Sequence, residues 1–152
     1  FSFESQYQGA PGINKMQIGT PSIISFKALE TSLKIFDKID VNDIRKKSME
    51  LTELFIERTN KSCPDLKLAS PREAGSRGAH LAYHFEEGYA VIQCLIENGV
   101  IGDFRAPNLM RFGFNPLFIG KDDVLKASEI LTDIITEKKW NRKDLKYKSY
   151  VT

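Results

Sequence analysis

Arg111 is the side chain in this sequence best suited to binding an acid group. Large apolar residues alternate with other types over residues 109–114, which predicts a strand whose opposite face carries Arg111. Gly113 lies on that same face and has no side chain, so a guanidinium there has room to bind a carboxylate through two hydrogen bonds. The pattern also fits a surface arginine, or one that pairs with Asp103.

A second candidate is an anion site at Gly19, Thr20 and Pro21. Threonine is a good N-cap and proline is favoured at the first helical position, so a helix is predicted to begin here. A helix start has free backbone N–H groups, and the threonine hydroxyl adds another donor. Because the glycine lets an anion approach the backbone, these groups could together bind a phosphate or a carboxylate. The alternative is that Thr20 only caps its own helix.

Two further charged motifs are expected to be structural. Asp103 and Arg105 are two residues apart on a predicted strand, so they point the same way and can pair locally. Arg77 precedes Gly78 at the mouth of another strand, which is typical of a turn with a surface charge.

The histidines and cysteines do not predict a metal centre. His80 and His84 share one face of a strand but would lie about 13 Å apart at the usual rise. Cys63 and Cys94 are far apart, without a CxxC pattern, and Cys94 falls in an apolar helix and is expected in the core. We therefore predict no metal site and a reducing compartment, the cytoplasm.

Apolar periodicity predicts the elements that must position these residues. Helices are expected near residues 20–38, 42–60, 86–98 and 122–137, and strands near residues 66–69, 79–85, 100–104 and 109–114. Gly99 should end the third helix. The first helix should carry an apolar stripe of Phe26, Leu29, Leu33 and Phe36, and Asn42 should cap the second. This order predicts an α+β fold, a short and mostly antiparallel sheet with helices on one face.

Composition excludes several classes of protein. The 152 residues fit one domain, and 22 basic against 20 acidic residues leave a net charge of +2, too small to favour nucleic acid or an anionic membrane surface. No apolar run approaches the roughly 18 residues of a membrane span. The chain opens at Phe1 without a methionine, so we expect a piece of a longer polypeptide.

An ordered series of motifs resembles the C-terminal part of kynureninases, and it covers most of the chain. The matching segments are Gly12-Ile13, Ile18-Gly19-Thr20-Pro21, Lys46-Lys47-Ser48 with Leu51-Thr52, Arg77-Gly78, Gly99 to Pro107, and Arg111-Phe112-Gly113-Phe114 with Pro116-Leu117. The run from Gly99 to Leu117 is the most specific of them. One departure is Phe118, where the family usually has tyrosine.

The resemblance implies a pyridoxal 5'-phosphate (PLP) enzyme of fold type I, in the aspartate aminotransferase superfamily. Such enzymes are homodimers that hydrolyse L-kynurenine to anthranilate and L-alanine in tryptophan catabolism, on the kynurenine pathway towards NAD biosynthesis. By resemblance, Arg111 binds the substrate α-carboxylate. Thr20, with Gly19 beside it, lies close to the cofactor phosphate and the substrate across the dimer interface.

The resemblance also implies what this chain lacks. The family's Schiff-base lysine precedes the matched region, so Lys15, Lys27 and Lys34 are not assigned that role. No catalytic residue is therefore expected in this chain, and the chain alone should be inactive. Residues 1–21 would be a connecting segment and interface loop from a large PLP-binding domain. Residues 22–138 would be the small domain, and residues 139–152 a basic tail, either docked or frayed.

Two alternatives stay open. One is the small domain of another fold-type I enzyme, aminotransferase or desulfurase-like, and the other is a non-catalytic α+β ligand-binding module.

Overall fold

The computed structural model describes residues 5–17 and 19–145. The chain divides into two compact units, residues 1–39 and residues 40–152, and each is described by itself. The first unit contains a 3₁₀ helix at Gly12–Met16, helix α1 at Ile23–Leu33 and a second 3₁₀ helix at Lys34–Lys38.

Helix α1 begins later than the sequence predicts. The side chain of Ser22 accepts hydrogen bonds from the backbone N–H of Ser25, at 3.5 Å, and from its hydroxyl, at 3.1 Å. Ser22 is therefore the N-cap, and the expectation that Thr20 caps this helix is wrong. The expected stripe does not form a buried face, because every side chain of α1 is exposed.

The second unit is a small α+β domain, as predicted. Its elements in chain order are α2 (Val41–Ser62), β1 (Lys67–Leu68), β2 (His80–His84), α3 (Gly88–Glu97), β3 (Asp103–Arg105), β4 (Leu109–Gly113) and α4 (Lys121–Thr136). The four strands form one sheet in the order β1-β2-β4-β3, and every neighbouring pair is antiparallel. A 3₁₀ turn at Ala74–Ser76 precedes β2.

The core lies between α2 and one face of the sheet. Phe55 of α2 is buried, with its ring centroid 5.3 Å from that of Phe112, 5.2 Å from that of Phe114 and 6.1 Å from that of Tyr83. Edge-to-face and tilted contacts of this kind add to the free energy gained by burying the rings. The alternation in β2 and β4 thus places large apolar side chains inward. The other sheet face carries Arg111 and two histidines beside Ala82, Leu109 and Gly113.

The start of α2 and the C-terminal end of α3 show how well local signals predict helix boundaries. The side chain of Asp40 accepts a hydrogen bond from the backbone N–H of Asn42, at 2.8 Å, so Asp40 and not Asn42 caps α2. Gly99 ends α3 as predicted, because it has a positive φ of 80° and the next N–H, of Val100, donates to Leu95 at 2.9 Å.

Strand β3 begins at Asp103, two to three residues later than the sequence predicts. The segment before it approaches β4 very closely at Gly102. A Cβ atom at Gly102 would lie 2.7 Å from Cδ1 of Ile92 and 3.3 Å from the backbone oxygen of Arg111. Only glycine fits this approach without displacing a neighbour.

Residues 140–145 lie against the domain. The ring of Trp140 contacts that of Phe85 edge-on at 5.9 Å, Arg142 donates to Glu97 at 2.8 and 2.9 Å, and Leu145 is buried. These contacts are those of a docked arm. Residues 146–152 of the basic tail lie outside the described residues, and the division of the chain at residues 21 and 138 stays a prediction.

Candidate functional site

Arg111 occupies the centre of the sheet face turned away from the core. It lies directly opposite Ala82 of β2 on one side and Asp103 of β3 on the other. Residues paired in this way on antiparallel strands project their side chains from the same face. The Arg111 side chain is 36% exposed, so this residue combines a fixed backbone with access to solvent.

Asp103 holds the guanidinium group of Arg111. Its Oδ2 atom accepts a hydrogen bond from Nε of Arg111 at 2.9 Å and a second from Nη2. Nε of Arg105 lies 3.3 Å from the same oxygen. The local Asp103–Arg105 pair and the Asp103–Arg111 pair, both considered from the sequence, are therefore both present.

The charges of the two arginines act on the Asp103 carboxyl group. The hydrogen bond from Arg111 is the largest cause that holds the pKa of Asp103 below its usual value, and the nearby charges of Arg111 and Arg105 lower it further. Asp103 is therefore a carboxylate at neutral pH, and the three side chains together carry one net positive charge.

An open groove of about 400 Å³ runs beside this ion pair. Its lining includes Arg111 and Asp103, with His80 of β2 at one side and Gly113 at the end of β4. A Cβ atom at Gly113 would have no neighbour within 4 Å, so the space next to Arg111 is open.

Gly19 and Thr20 lie in the first unit, before α1. Thr20 is exposed, and a Cβ atom at Gly19 would have no neighbour within 4 Å. Since Ser22 caps the helix, the Thr20 hydroxyl is not used for that purpose. The two residues thus present a hydroxyl donor and an accessible backbone, but they do not carry the free N–H groups of a helix start that the sequence predicts here.

Arg77 is buried, and the expectation of a turn with a surface charge there is wrong. Its Nη1 donates to the backbone oxygen of Pro71 at 3.2 Å and to that of Arg72, and its Nη2 donates to Glu53 of α2. Burial alone would raise the pKa of Glu53, but hydrogen bonds from Arg77 and Arg72 outweigh it and lower that pKa. The sequence gives no sign of this contact because the partners lie 24 residues apart.

The histidines and cysteines do not come together in the described part of the chain. His80 and His84 are exposed on β2, and Nδ1 of His84 lies 3.1 Å from Oδ1 of Asn108. Cys63 and Cys94 are free and buried, as predicted for Cys94, and burial raises the pKa of both thiols. Among the described residues, no group of three or more histidine, cysteine or acidic side chains could hold a metal ion. None of the helices described is both long and apolar enough to span a bilayer.

The second unit is therefore a small α+β domain with an arginine-lined groove on the outer face of its sheet. The family described as kynureninase C-terminal domain matches residues 44–131, which is more than half of the chain. The chain belongs to the kynureninase family, as the motifs predict.

Curated relatives match the chain over its whole length. A kynureninase from Pseudomonas fluorescens is 41% identical over 154 aligned residues. Kynureninases from Burkholderia mallei (strain SAVP1) and Burkholderia pseudomallei (strain K96243) are each 36% identical over the same span. The alignments cover 100% of this chain but 37% of each relative, so the chain spans little more than a third of their length.

Proposed function

We propose that this chain is the C-terminal part of a PLP-dependent kynureninase that hydrolyses L-kynurenine to anthranilate and L-alanine in tryptophan catabolism. Membership of the kynureninase family supports the reaction, and the matched share of 37% supports a larger parent enzyme. In this proposal the parent is a cytoplasmic homodimer that acts on a small molecule and binds neither nucleic acid nor membrane. The chain alone is inactive, because the lysine that binds the cofactor belongs to the rest of the enzyme.

The role of Arg111 is to bind the α-carboxylate of the substrate, and its geometry is the observation that carries the proposal. Asp103 occupies the side of the guanidinium formed by Nε and Nη2. A guanidinium has a second edge, formed by Nη1 and Nη2, with two parallel N–H donors that match the two oxygens of a carboxylate. The groove beside Gly113 provides the room for that group.

The role of Gly19 and Thr20 is to contact the cofactor phosphate, and Thr20 also approaches the substrate. Their exposed hydroxyl and open backbone fit that role. When bound, PLP withdraws electrons from the α-carbon of the amino acid. In this proposal Arg111 donates hydrogen bonds to the substrate carboxylate, and Gly19 and Thr20 donate to the cofactor phosphate.

The experiment compares Arg111→Ala with the unchanged residue in the complete enzyme. Loss of a charge-assisted pair should raise KM for L-kynurenine roughly 10- to 100-fold, since hydrogen bonds to charged groups contribute about 1.5–3 kcal/mol. Cofactor absorbance should stay unchanged, because Arg111 is assigned to the substrate.

The matched control is Arg58→Ala, which removes an exposed arginine on the outside of α2. Its KM should equal that of the unchanged enzyme. If Arg111→Ala also leaves the kinetics unchanged, Arg111 does not bind the substrate and the proposed site is wrong.

A further inference from the structure

We infer that Asp103 is a positioning residue for substrate binding, which fixes the Arg111 guanidinium so that its Nη1–Nη2 edge is available to the substrate carboxylate. The inference rests on the proposed function of Arg111 and adds a residue to it. Asp103 acts through Arg111 and needs no contact of its own with the substrate.

The hydrogen bonds to Asp103 restrict the guanidinium in two ways. Nε and Nη2 both donate to the same Oδ2 atom, which fixes the plane and the rotation of the guanidinium relative to β3. An unrestrained arginine side chain has several rotatable bonds, and the freedom it would lose on binding a ligand weakens binding. Because Asp103 imposes that order beforehand, less freedom is left to lose when the carboxylate arrives.

The backbone places Asp103 where it can do this. Asp103 is directly opposite Arg111 in the β3–β4 pairing. The residue before it, Gly102, permits the close approach of this segment to β4, since a Cβ atom there would lie 3.3 Å from the backbone oxygen of Arg111. The pair is thus set by strand register and close packing as well as by charge.

The charge of Asp103 by itself would have the opposite effect on binding. A carboxylate beside Arg111 repels a second carboxylate, so an account based on charge alone predicts that neutralising Asp103 tightens substrate binding. Arg105 offsets this repulsion, because it lies 3.3 Å from the same Oδ2 and leaves the cluster with one net positive charge. The two accounts therefore predict opposite signs, and the experiment can separate them.

The experiment measures KM and kcat for L-kynurenine in the complete enzyme with Asp103→Ala and Asp103→Asn. The positioning role predicts that Asp103→Ala raises KM roughly tenfold, with kcat changed less than twofold, about the effect of one hydrogen bond to a charged group. Asp103→Asn keeps one acceptor oxygen and the shape of the side chain, so its KM should lie between those of the unchanged enzyme and Asp103→Ala. A KM that falls in either variant would overturn the inference.

Two controls test local charge. Arg105→Ala removes the offsetting positive charge but leaves both hydrogen bonds between Asp103 and Arg111, so its KM should rise less than that of Asp103→Ala. Asp144→Asn removes an exposed aspartate that pairs with Arg142 elsewhere on the domain, and it should leave KM unchanged. If Arg105→Ala raises KM as much as Asp103→Ala, the inference is wrong, because both hydrogen bonds on which it rests are intact in Arg105→Ala.

A double variant distinguishes the failure of this inference from failure of the proposed function. In an Arg111→Ala background, adding Asp103→Ala should not change KM further, because the residue through which Asp103 acts is gone. If Arg111→Ala raises KM and Asp103→Ala does not, only the inference is wrong. If Arg111→Ala itself has no effect, the proposed role of Arg111 fails first.

Discussion

The phenolic oxygen of Tyr83 on β2 lies 2.9 Å from the hydroxyl oxygen of Thr59 on α2. Both side chains are fully buried, and this hydrogen bond joins the sheet to the long helix at the centre of the core. Burial raises the pKa of Tyr83 to about 12, which is the largest effect on that group.

The raised pKa predicts a loss of stability at alkaline pH. Between about pH 10 and 12 the unfolded chain has lost the Tyr83 proton while the native chain keeps it, so the unfolded state binds fewer protons and stability falls as the pH rises. Tyr83→Phe should be about 1 kcal/mol less stable at pH 7, because it leaves Thr59 without this partner. Between pH 7 and pH 11 it should lose roughly 1.4 kcal/mol less stability than the unchanged chain. Urea unfolding of the chain at pH 7 and pH 11 measures both effects.

The control for this prediction is Tyr7→Phe, because Tyr7 is exposed. Its stability should follow that of the unchanged chain at both pH values. An equal alkaline loss in Tyr83→Phe and the unchanged chain would show that Tyr83 is not the titrating group.

Arg77→Ala should be destabilising by about 1.5–3 kcal/mol, since it removes a buried charged donor, while Glu53 stays 30% exposed and keeps its pair with Arg72. Two backbone carbonyls, of Pro71 and Arg72, would also lose their donor. Arg72→Ala is the matched comparison: it removes the exposed arginine that pairs with the same carboxylate, and it should cost no more than about 1 kcal/mol. Equal losses in the two variants, measured by urea unfolding, would contradict the buried role of Arg77.

Gly102→Ala should destabilise the domain by about 1–3 kcal/mol, because its new Cβ atom would overlap Cδ1 of Ile92. Ile92→Val removes that Cδ1 atom, so the double variant should recover part of the loss. The matched change Gly113→Ala adds a methyl group where a Cβ atom has no neighbour within 4 Å, and its effect should be small. Thermal unfolding of the four variants provides the comparison, and a double variant no better than Gly102→Ala would show that Ile92 is not the obstacle.

Thr20→Val should weaken binding of PLP to the complete enzyme roughly fivefold, since it removes one hydroxyl donor and keeps the shape of the side chain. Titration of the apoenzyme with PLP, followed by fluorescence, measures the dissociation constant without relying on turnover. Thr31→Val is a suitable control, because the Thr31 hydroxyl already donates to the backbone of Lys27 at 2.9 Å within α1. A dissociation constant that Thr20→Val leaves unchanged would remove Thr20 from the proposed phosphate site.

Periodicity predicts the elements of the second unit well because their apolar faces are buried. Strands β2 and β4 and helices α2 and α4 lie within one or two residues of the predicted ranges. The start of α1 is predicted less well, because serine and threonine are both good caps and Ser22 competes with Thr20 for the role.

Side-chain partners are harder to predict than elements, because they depend on contacts distant in sequence. The alternation in β4 predicts the face on which Arg111 lies, and the sequence offers Asp103 as one partner. The burial of Arg77 cannot be predicted in this way, since it depends on Glu53 from a different element and on carbonyl groups in a loop. Only the packed fold identifies these partners.

The outermost strands of the sheet, β1 and β3, contain two and three residues, and Lys67 and Arg105 give each a positive charge. Such short, charged margins offer few unpaired backbone groups to an incoming strand, and they disfavour recruitment of another polypeptide into the sheet. We therefore expect a neighbouring polypeptide to contact this domain through side chains and not by extending its sheet.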